Sequence, residues 1–551
     1  MNRFAAVAAT ALSVSLALPA CAASHPTRSD AERDPVLAAM LTELDRSMSQ
    51  LQLPGFQKPF FIQFRVTDVE DFQTSASFGA TTDTEHNHAR VARVTVRIGD
   101  YKTDSSTPRG DGSIQLAALD SDPIALRSAL WSAADTAYKN ALAAYAQKQA
   151  ALKQVQTPPQ ADDFSAEQPT QAMGEPIHLQ LDESAWIARV ARASGLYRTD
   201  TSVAALERDV QYSSTVFHAR AVTTWIVNSE GSIVRSSQAT YQEGIAVGTQ
   251  AGDGMHLDRS YASTSPTLAG LDKPEVFDQQ AVSLIASLGE LRRAPIVEPE
   301  YHGPVLLTAD ASADTFRALL APGIAATRPP LGTEARTNGP YASSYHTRIL
   351  PDSFSVIDDP TLSTWNGTGL IASYAVDDEA VPAQPVQVIG NGILQNYLIG
   401  REPVRDFPRS NGHGRAAITG PAHPSISVLK ITAANGLSSE QLHAQFLAAA
   451  KDAGLSSVYE VETLGPAMNP RLLYRVSADG SRQLVRGASL DDLDQRSLRS
   501  SIRAAGKDLW VANYFGDISQ TVLAPALLLD DVTIRRANEK NDKLPFYPPP
   551  E

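Results

Sequence analysis

The feature that most limits what this chain can fold into is a change of periodicity at a proline-bearing stretch, "RRAPIVEPEYHGP" (Arg292 to Pro304). Before it, segments with helical spacing mix with segments of strand character; after it, nearly every periodic segment reads as strand. Proline is excluded from helix interiors and central strands, and it pushes the preceding residue out of the helical region, so the stretch reads as a boundary. At 551 residues, one hydrophobic core would not serve the whole chain. The expectation is an α+β protein with an N-terminal mixed helix and sheet domain over 30–295, a C-terminal strand-rich domain over 300–540, and a proline-rich tail over 541–551.

In the first half, "DPVLAAMLTELDRSMSQL" (Asp34 to Leu51) repeats Val36, Met40, Leu44 and Met48 behind an Asp34-Pro35 start, which predicts an amphipathic helix. "PFFIQFRV" (Pro59 to Val66) and "VARVTVRI" (Val91 to Ile98) have the aromatic and β-branched content of strands. An apolar stripe from Leu126 to Tyr145 predicts a long helix, followed over 154–176 by a flexible excursion where periodicity ends. Helices are also expected from Asp182 to Ser194 and from Glu275 to Arg292, with strands between 215 and 248 turning at Ser229 to Gly231. In the second half, Asn391-Gly392 and Asp479-Gly480 mark hairpins. Ser438 and Gln441 have capping-box spacing ahead of a helix closed by Gly454.

Residues 1–23 read as an export signal: Arg3, an apolar run from Phe4 to Leu18, and small residues around Cys21. "ACA" (Ala20 to Ala22) suits simple cleavage and a periplasmic or secreted product; "LPAC" (Leu18 to Cys21) offers the alternative of a lipoprotein anchored at Cys21. Cys21 is the single cysteine, so the mature chain has no internal disulfide, thiol nucleophile or cysteine-held zinc. A net charge of -14 argues against an electrostatic grip on nucleic acid. No later apolar run approaches the ~18 residues of a membrane span.

Familiar catalytic signatures are missing. None of the eleven histidines sits in H-E-x-x-H, and neither G-x-S-x-G nor a phosphate-binding loop occurs. "GTGLIA" (Gly367 to Ala372) reads as a turn rather than a dinucleotide fingerprint. "HNH" (His86 to His88) would put two imidazoles on one strand face, able to chelate a transition metal, but no third ligand stands nearby in sequence, and it reads as an exposed polar edge. "GPVLLTADASADTF" (Gly303 to Phe316) runs from strand into helix with Asp310 and Asp314 on one stripe beside Arg317. Arg317 repels a cation and can pair with Asp314, so the acids read as a charged helix face.

More unusual are "VDDEAVP" (Val376 to Pro382) and "RSNGHGR" (Arg409 to Arg415). Asp377, Asp378 and Glu379, together with Asn411, His413 and Arg415, offer polar groups on glycine-bearing backbone that can approach a substrate closely; a binding loop and a structural turn stay open as equal readings. His413 with Asp378 and Glu379 is the one acid-base group available for catalysis.

These segments, with "GPVLL" (Gly303 to Leu307), "VIGNGILQNYLIGRE" (Val388 to Glu402) and "LVRGASL" (Leu484 to Leu490), resemble in their order the TldD/PmbA family, also called peptidase family U62 or modulators of DNA gyrase. The likeness covers most of the second half. The first half shares the family's order of helices and strands, and "LPGFQKPFFIQFRVTDVEDFQTSASFGA" (Leu53 to Ala80) is similar to an exported branch. The resemblance implies a two-domain α+β fold whose second domain is a twisted, partly closed sheet, assembled as a homodimer or heterodimer around a cleft that takes peptide. In the family's zinc-bearing subunit, a strand like "GPVLL" leads into H-E-x-x-x-H and a later cysteine completes the site; the histidines hold zinc and the glutamate activates its water. Here those positions fall at Thr308, Ala309 and Ala313, and no cysteine follows Cys21. The chain therefore resembles the PmbA-type subunit: a non-zinc peptide-binding or partner subunit of a metallopeptidase system, with no metal or cofactor of its own and zinc expected only in a relative bearing H-E-x-x-x-H. An active hydrolase built on His413, Asp378 and Glu379 is the alternative.

Overall fold

The Asp34 carboxylate accepts the free N–H groups of Val36 and Leu37 and so starts α1 (Pro35–Gln50), where proline at the first position costs no hydrogen bond. The structure, a computed structural model, describes residues 27–107, 110–120, 122–157, 159–537, 542–543 and 547. The expected signal and most of the expected tail lie outside these residues. No helix among them is long and apolar enough to cross a membrane.

Two long hairpins make the first sheet: β1 (Phe61–Ser77) with β2 (Ala80–Arg97), then β3 (Tyr212–Asn228) with β4 (Ile233–Gln250), joined by the antiparallel pairing of β1 with β3. A fifth long strand, β5 (His256–Ser265), adds to β4 and pairs with nothing else. Helix α1 and the long α2 (Pro123–Leu152) bury Leu37, Met40, Leu130 and Tyr138 against Ile62, Phe64 and Val94. Helix α3 (Glu183–Ser194) stacks Trp186 on Phe217 with ring centroids 3.8 Å apart. Helix α4 (Pro274–Arg293) sets Phe277 and Ile285 among Ile245, Val247 and Leu257.

The stretch over 154–176, expected as a flexible excursion, is anchored instead. Asp163 forms a buried ion pair with Lys148 at 2.5 Å, Phe164 packs on Phe61, and Gln171–Met173 adds to β4 as a short parallel strand. Its hold comes from single long-range contacts, which leave no periodic trace in sequence.

From Glu300 onward four short strands pair off as two small hairpins, and eleven strands form a second sheet, which is open rather than closed into a barrel. It starts with β6 (Glu300–Leu307), followed at once by α5 (Ala309–Leu319). Strands β7 (Phe354–Asp358), β8 (Val386–Gly390) and β9 (Val428–Ala433) form one wing. The capped helix α6 (Ser439–Asp452) leads into the other, β10 (Ser457–Leu464) and β11 (Pro470–Ser477). The last two long strands are β12 (Ile502–Tyr514) and β13 (Gln520–Arg536). β13 pairs with β9, β12, β6 and the short strand Ala488–Asp491, and so ties the wings together. Asn391 and Gly392 turn the predicted hairpin after β8 with φ of 49° and 74°, the left-handed pair such a turn requires.

Candidate functional site

The acid loop and the glycine loop predicted from sequence do meet, and they lock into one another. Asp377 is buried; its Oδ1 accepts the N–H groups of Glu379 (3.0 Å) and Val381 (2.8 Å), and its Oδ2 accepts that of Gly414 (2.9 Å). Asp378 Oδ2 accepts Arg415 Nε–H and the Ala416 N–H, both at 2.9 Å. The Arg415 guanidinium lies 4.1 Å over the Tyr374 ring, whose hydroxyl donates to the Gly412 carbonyl. Glu379 Oε2 accepts the Arg401 N–H at 2.7 Å and lies so close to Gly400 and Gly414 that a Cβ at either position would overlap it. Burial first, then the Glu379 charge, hold the Asp377 carboxyl well above the ordinary carboxylate range. Burial raises that of Glu379 too, opposed by the N–H and the charge of Arg401.

His413 is not the solvent-facing base that the sequence allows. It is 0 % exposed; Nδ1–H donates to the Asn411 carbonyl (3.0 Å) and to Asn411 Oδ1 (3.1 Å), while Nε2 faces Asp358 Oδ1 at 3.2 Å. Asn411 also joins the loop to its neighbours, Oδ1 accepting the Ile399 N–H and Nδ2 donating to the Tyr397 carbonyl. Both ring nitrogens are thus engaged, neither by Asp378 nor by Glu379, and the proposed catalytic trio does not form. Of the six candidate residues, Asp378 and Arg415 line a side cavity of about 320 Å³; the loops act chiefly as scaffold.

A larger cleft lies elsewhere, between the two sheets, with a volume of about 950 Å³. One wall is β5 from Arg259 to Thr264, another is β12 from Leu509 to Tyr514, and α5 contributes Asp310 and Asp314. The two aspartates are therefore not a solvated helix face. Trp510 Nε1–H donates to Asp310 Oδ1 at 2.6 Å, and the Tyr514 hydroxyl donates to Asp314 Oδ1 at 2.7 Å. Burial raises both carboxyl pKa values; the Asp314 charge adds to the shift at Asp310, and the hydrogen bonds from Trp510 and Tyr514 oppose it. Arg317 does not pair with Asp314. Its guanidinium lies 4.3 Å over the Tyr514 ring and donates to Gln520 Oε1. Sequence reasoning passed over Trp510 and Tyr514; their even spacing along a strand was the available signal.

The remaining motifs fall into place around these walls. Asn366 and Gly367 turn a small hairpin at the edge of the cleft, so "GTGLIA" begins in a turn as read. His86 and His88 share a strand face and are exposed, as expected; their partners are Glu183 and Asp68.

Fold and site together define an α+β protein of two large open sheets, with a cleft between them and interlocked acid and glycine loops beside it. Residues 300–536 match the PmbA/TldA metallopeptidase C-terminal domain. No curated protein matches the chain in sequence. Among solved structures it is similar to TldE from Thermococcus kodakarensis at 14% identity and a TM-score of 0.62, over 90% of this chain and 99% of that one. A candidate modulator of a DNA gyrase from Thermotoga maritima is similar at 15% identity and a TM-score of 0.61, over 90% of this chain and 100% of the other. Another from Bacteroides thetaiotaomicron gives 10% and 0.54, over 93% and 99%. The C-terminal part of the chain, residues 300–536, is thus of the PmbA/TldA type, and over nine-tenths of its length the chain shares the fold of these solved structures.

The zinc that the family's H-E-x-x-x-H implies does not suit these residues. Thr308 precedes α5 as its cap, Ala313 is packed in the core rather than in the cleft wall, and no cysteine stands among the described residues.

Proposed function

We propose that this chain is the non-zinc, peptide-binding or partner subunit of an exported metallopeptidase system. The observation that supports this most is the cleft wall at α5. Where relatives with H-E-x-x-x-H carry metal ligands and a base after the first strand, this chain presents Asp310 and Asp314, each tied to an aromatic side chain of β12. The other walls favour an extended peptide. Among the described residues β5 pairs with β4 alone, and β12 pairs with β13 and is bridged by Leu437 at Gly506, so β5 and the cleft-lining part of β12 after Gly506 each leave one backbone edge to which a chain can add through main-chain hydrogen bonds. The export-type N-terminus and the charge of -14 agree with a peptide role outside the cytoplasm and speak against nucleic acid as the ligand.

The test is affinity purification of the full chain from its native source. The expected result is co-elution of a relative bearing H-E-x-x-x-H, with cleavage of unstructured peptides by the mixture and none by the pure chain. Cleavage by the pure chain that persists in chelator would overturn the reading.

A further inference from the structure

The hairpin of β1 and β2 gathers a second group of chemically capable side chains, far in sequence from the cleft walls. Its register sets Asp68 opposite Arg90 and Glu70 opposite His88, which puts all four on one face. His88 Nε2 lies 2.7 Å from Asp68 Oδ1 and 3.9 Å from Glu70 Oε1. The donor atoms of Asp68, Glu70 and His88 all fall within 4.8 Å of one another. His178 Nδ1 bonds the same Glu70 Oε1 from the crossing segment Ile177 to Leu179.

We propose that Asp68, Glu70 and His88, with His178 as fourth donor, bind one divalent transition-metal ion of the zinc type. Three arguments converge on this. The first is distance: bonds of ~2.0–2.2 Å place tetrahedral donors ~3.4 Å apart, so small side-chain turns bring these atoms to one ion. The second is donor chemistry, because two imidazoles and two carboxylates suit first-row ions such as Zn²⁺, and not Mg²⁺ or Ca²⁺.

The third is the support behind the donors. Arg90 donates from Nε to Asp68 Oδ2 at 2.8 Å and from a terminal nitrogen to the Ala118 and Asp120 carbonyls, which fixes Asp68 and leaves Oδ1 for the ion. Glu70 Oε2 accepts the Leu179 N–H at 3.0 Å, which leaves Oε1. Such outer partners orient ligands in metal sites. Asp68 is 9 % exposed, whereas His88 and His178 are 41 % and 69 % exposed, so the site is firm at its base and open to ions from solvent. The ion would join β1, β2 and the crossing segment, three pieces of chain already held together here by the Arg90–Asp68 ion pair and by the packing of Ile177 and Leu179.

The experiment uses the full chain, stripped with chelator and titrated with Zn²⁺ by calorimetry and with Co²⁺ by absorption. One equivalent should bind, with a tetrahedral Co²⁺ spectrum and a rise in Tm. His88→Gln and Asp68→Asn should each weaken Zn²⁺ at least ~10-fold, the scale seen even for outer partners of metal sites, and His178→Gln should weaken it too. His86→Gln, on the same strand face but outside the donor set, should bind as the parent does. The metal-free Tm of His88→Gln should equal that of the parent, which separates lost ligation from lost folding. Absence of saturable binding, unchanged binding in His88→Gln, or equal loss in His86→Gln would overturn the proposal. An ion held here lies outside the cleft and is not the catalytic zinc that the partner-subunit reading denies to α5, so that reading is tested separately, by co-elution and cleavage.

Discussion

The Gly414 N–H donates to Asp377 Oδ2 at 2.9 Å, so a residue of the glycine loop closes the hydrogen-bond shell of a buried acid 37 positions earlier. On the other side of the same glycine lies the Glu379 carboxylate, in the space where a Cβ would stand. Gly414→Ala should therefore destabilise by about 1–3 kcal/mol, the range for overpacking a filled interior. A urea unfolding midpoint close to the parent's would show that the loops can part without cost.

Stability should depend on pH through the cleft aspartates. Asp310 and Asp314 have raised pKa values in the fold, chiefly from burial. Between the unfolded value, ~3.9 for aspartate, and the raised folded values, the native state holds protons that the unfolded chain has released. Their contribution is thus favourable below pH ~4 and is lost as pH rises through the folded pKa values. The double variant Asp310→Asn, Asp314→Asn should flatten that fall, as read by Tm across a pH series against the parent.

Arg401 should be among the least replaceable residues in the molecule. It is buried, its guanidinium pairs with Glu230 at 2.7 Å, donates to the Ser165 carbonyl, and lies 4.0 Å over the Phe164 ring. It thereby fastens the second sheet to the hairpin turn of the first. Arg401→Met removes the cation beside Glu230, which keeps only the Tyr101 hydroxyl among its side-chain partners here, and should cost about 3–5 kcal/mol. Arg401→Lys should recover only part of this, because an ammonium lacks the planar fork. Equal unfolding temperatures for the lysine variant and the parent would contradict the account.

A smaller effect is expected at the start of α6. Ser438 Oγ accepts the Gln441 N–H while Gln441 Oε1 accepts that of Ser438. Ser438→Ala should cost about 1 kcal/mol in chemical denaturation, the usual worth of such a cap.

What sequence made visible was local. The starts of α1 and α6, the Asn391-Gly392 turn and the change to strand after Pro304 each depend on residues within one turn of each other. What it concealed depends on distant register. His88 shares its strand face with His86, and its carboxylate neighbours come from the facing strand about 20 positions back. Asp310 and Asp314 look like a solvated stripe until β12, some 200 residues later, lays Trp510 and Tyr514 beside them. The same holds for His413, which is buried against Asp358, itself held by the Ser427 hydroxyl.

Strand β13, at the centre of the second sheet, is also the last strand among the described residues. Strands β6 and β9 have their places beside it, so neither can take its final partner until residues 520–536 are present. As the chain is made from its N-terminus, the first sheet can close early, while the second waits with unpaired edges for its last 17-residue strand. Assembly of the cleft, which needs a wall from each sheet, is therefore a late event, and a chain cut short before Gln520 has no finished site to offer.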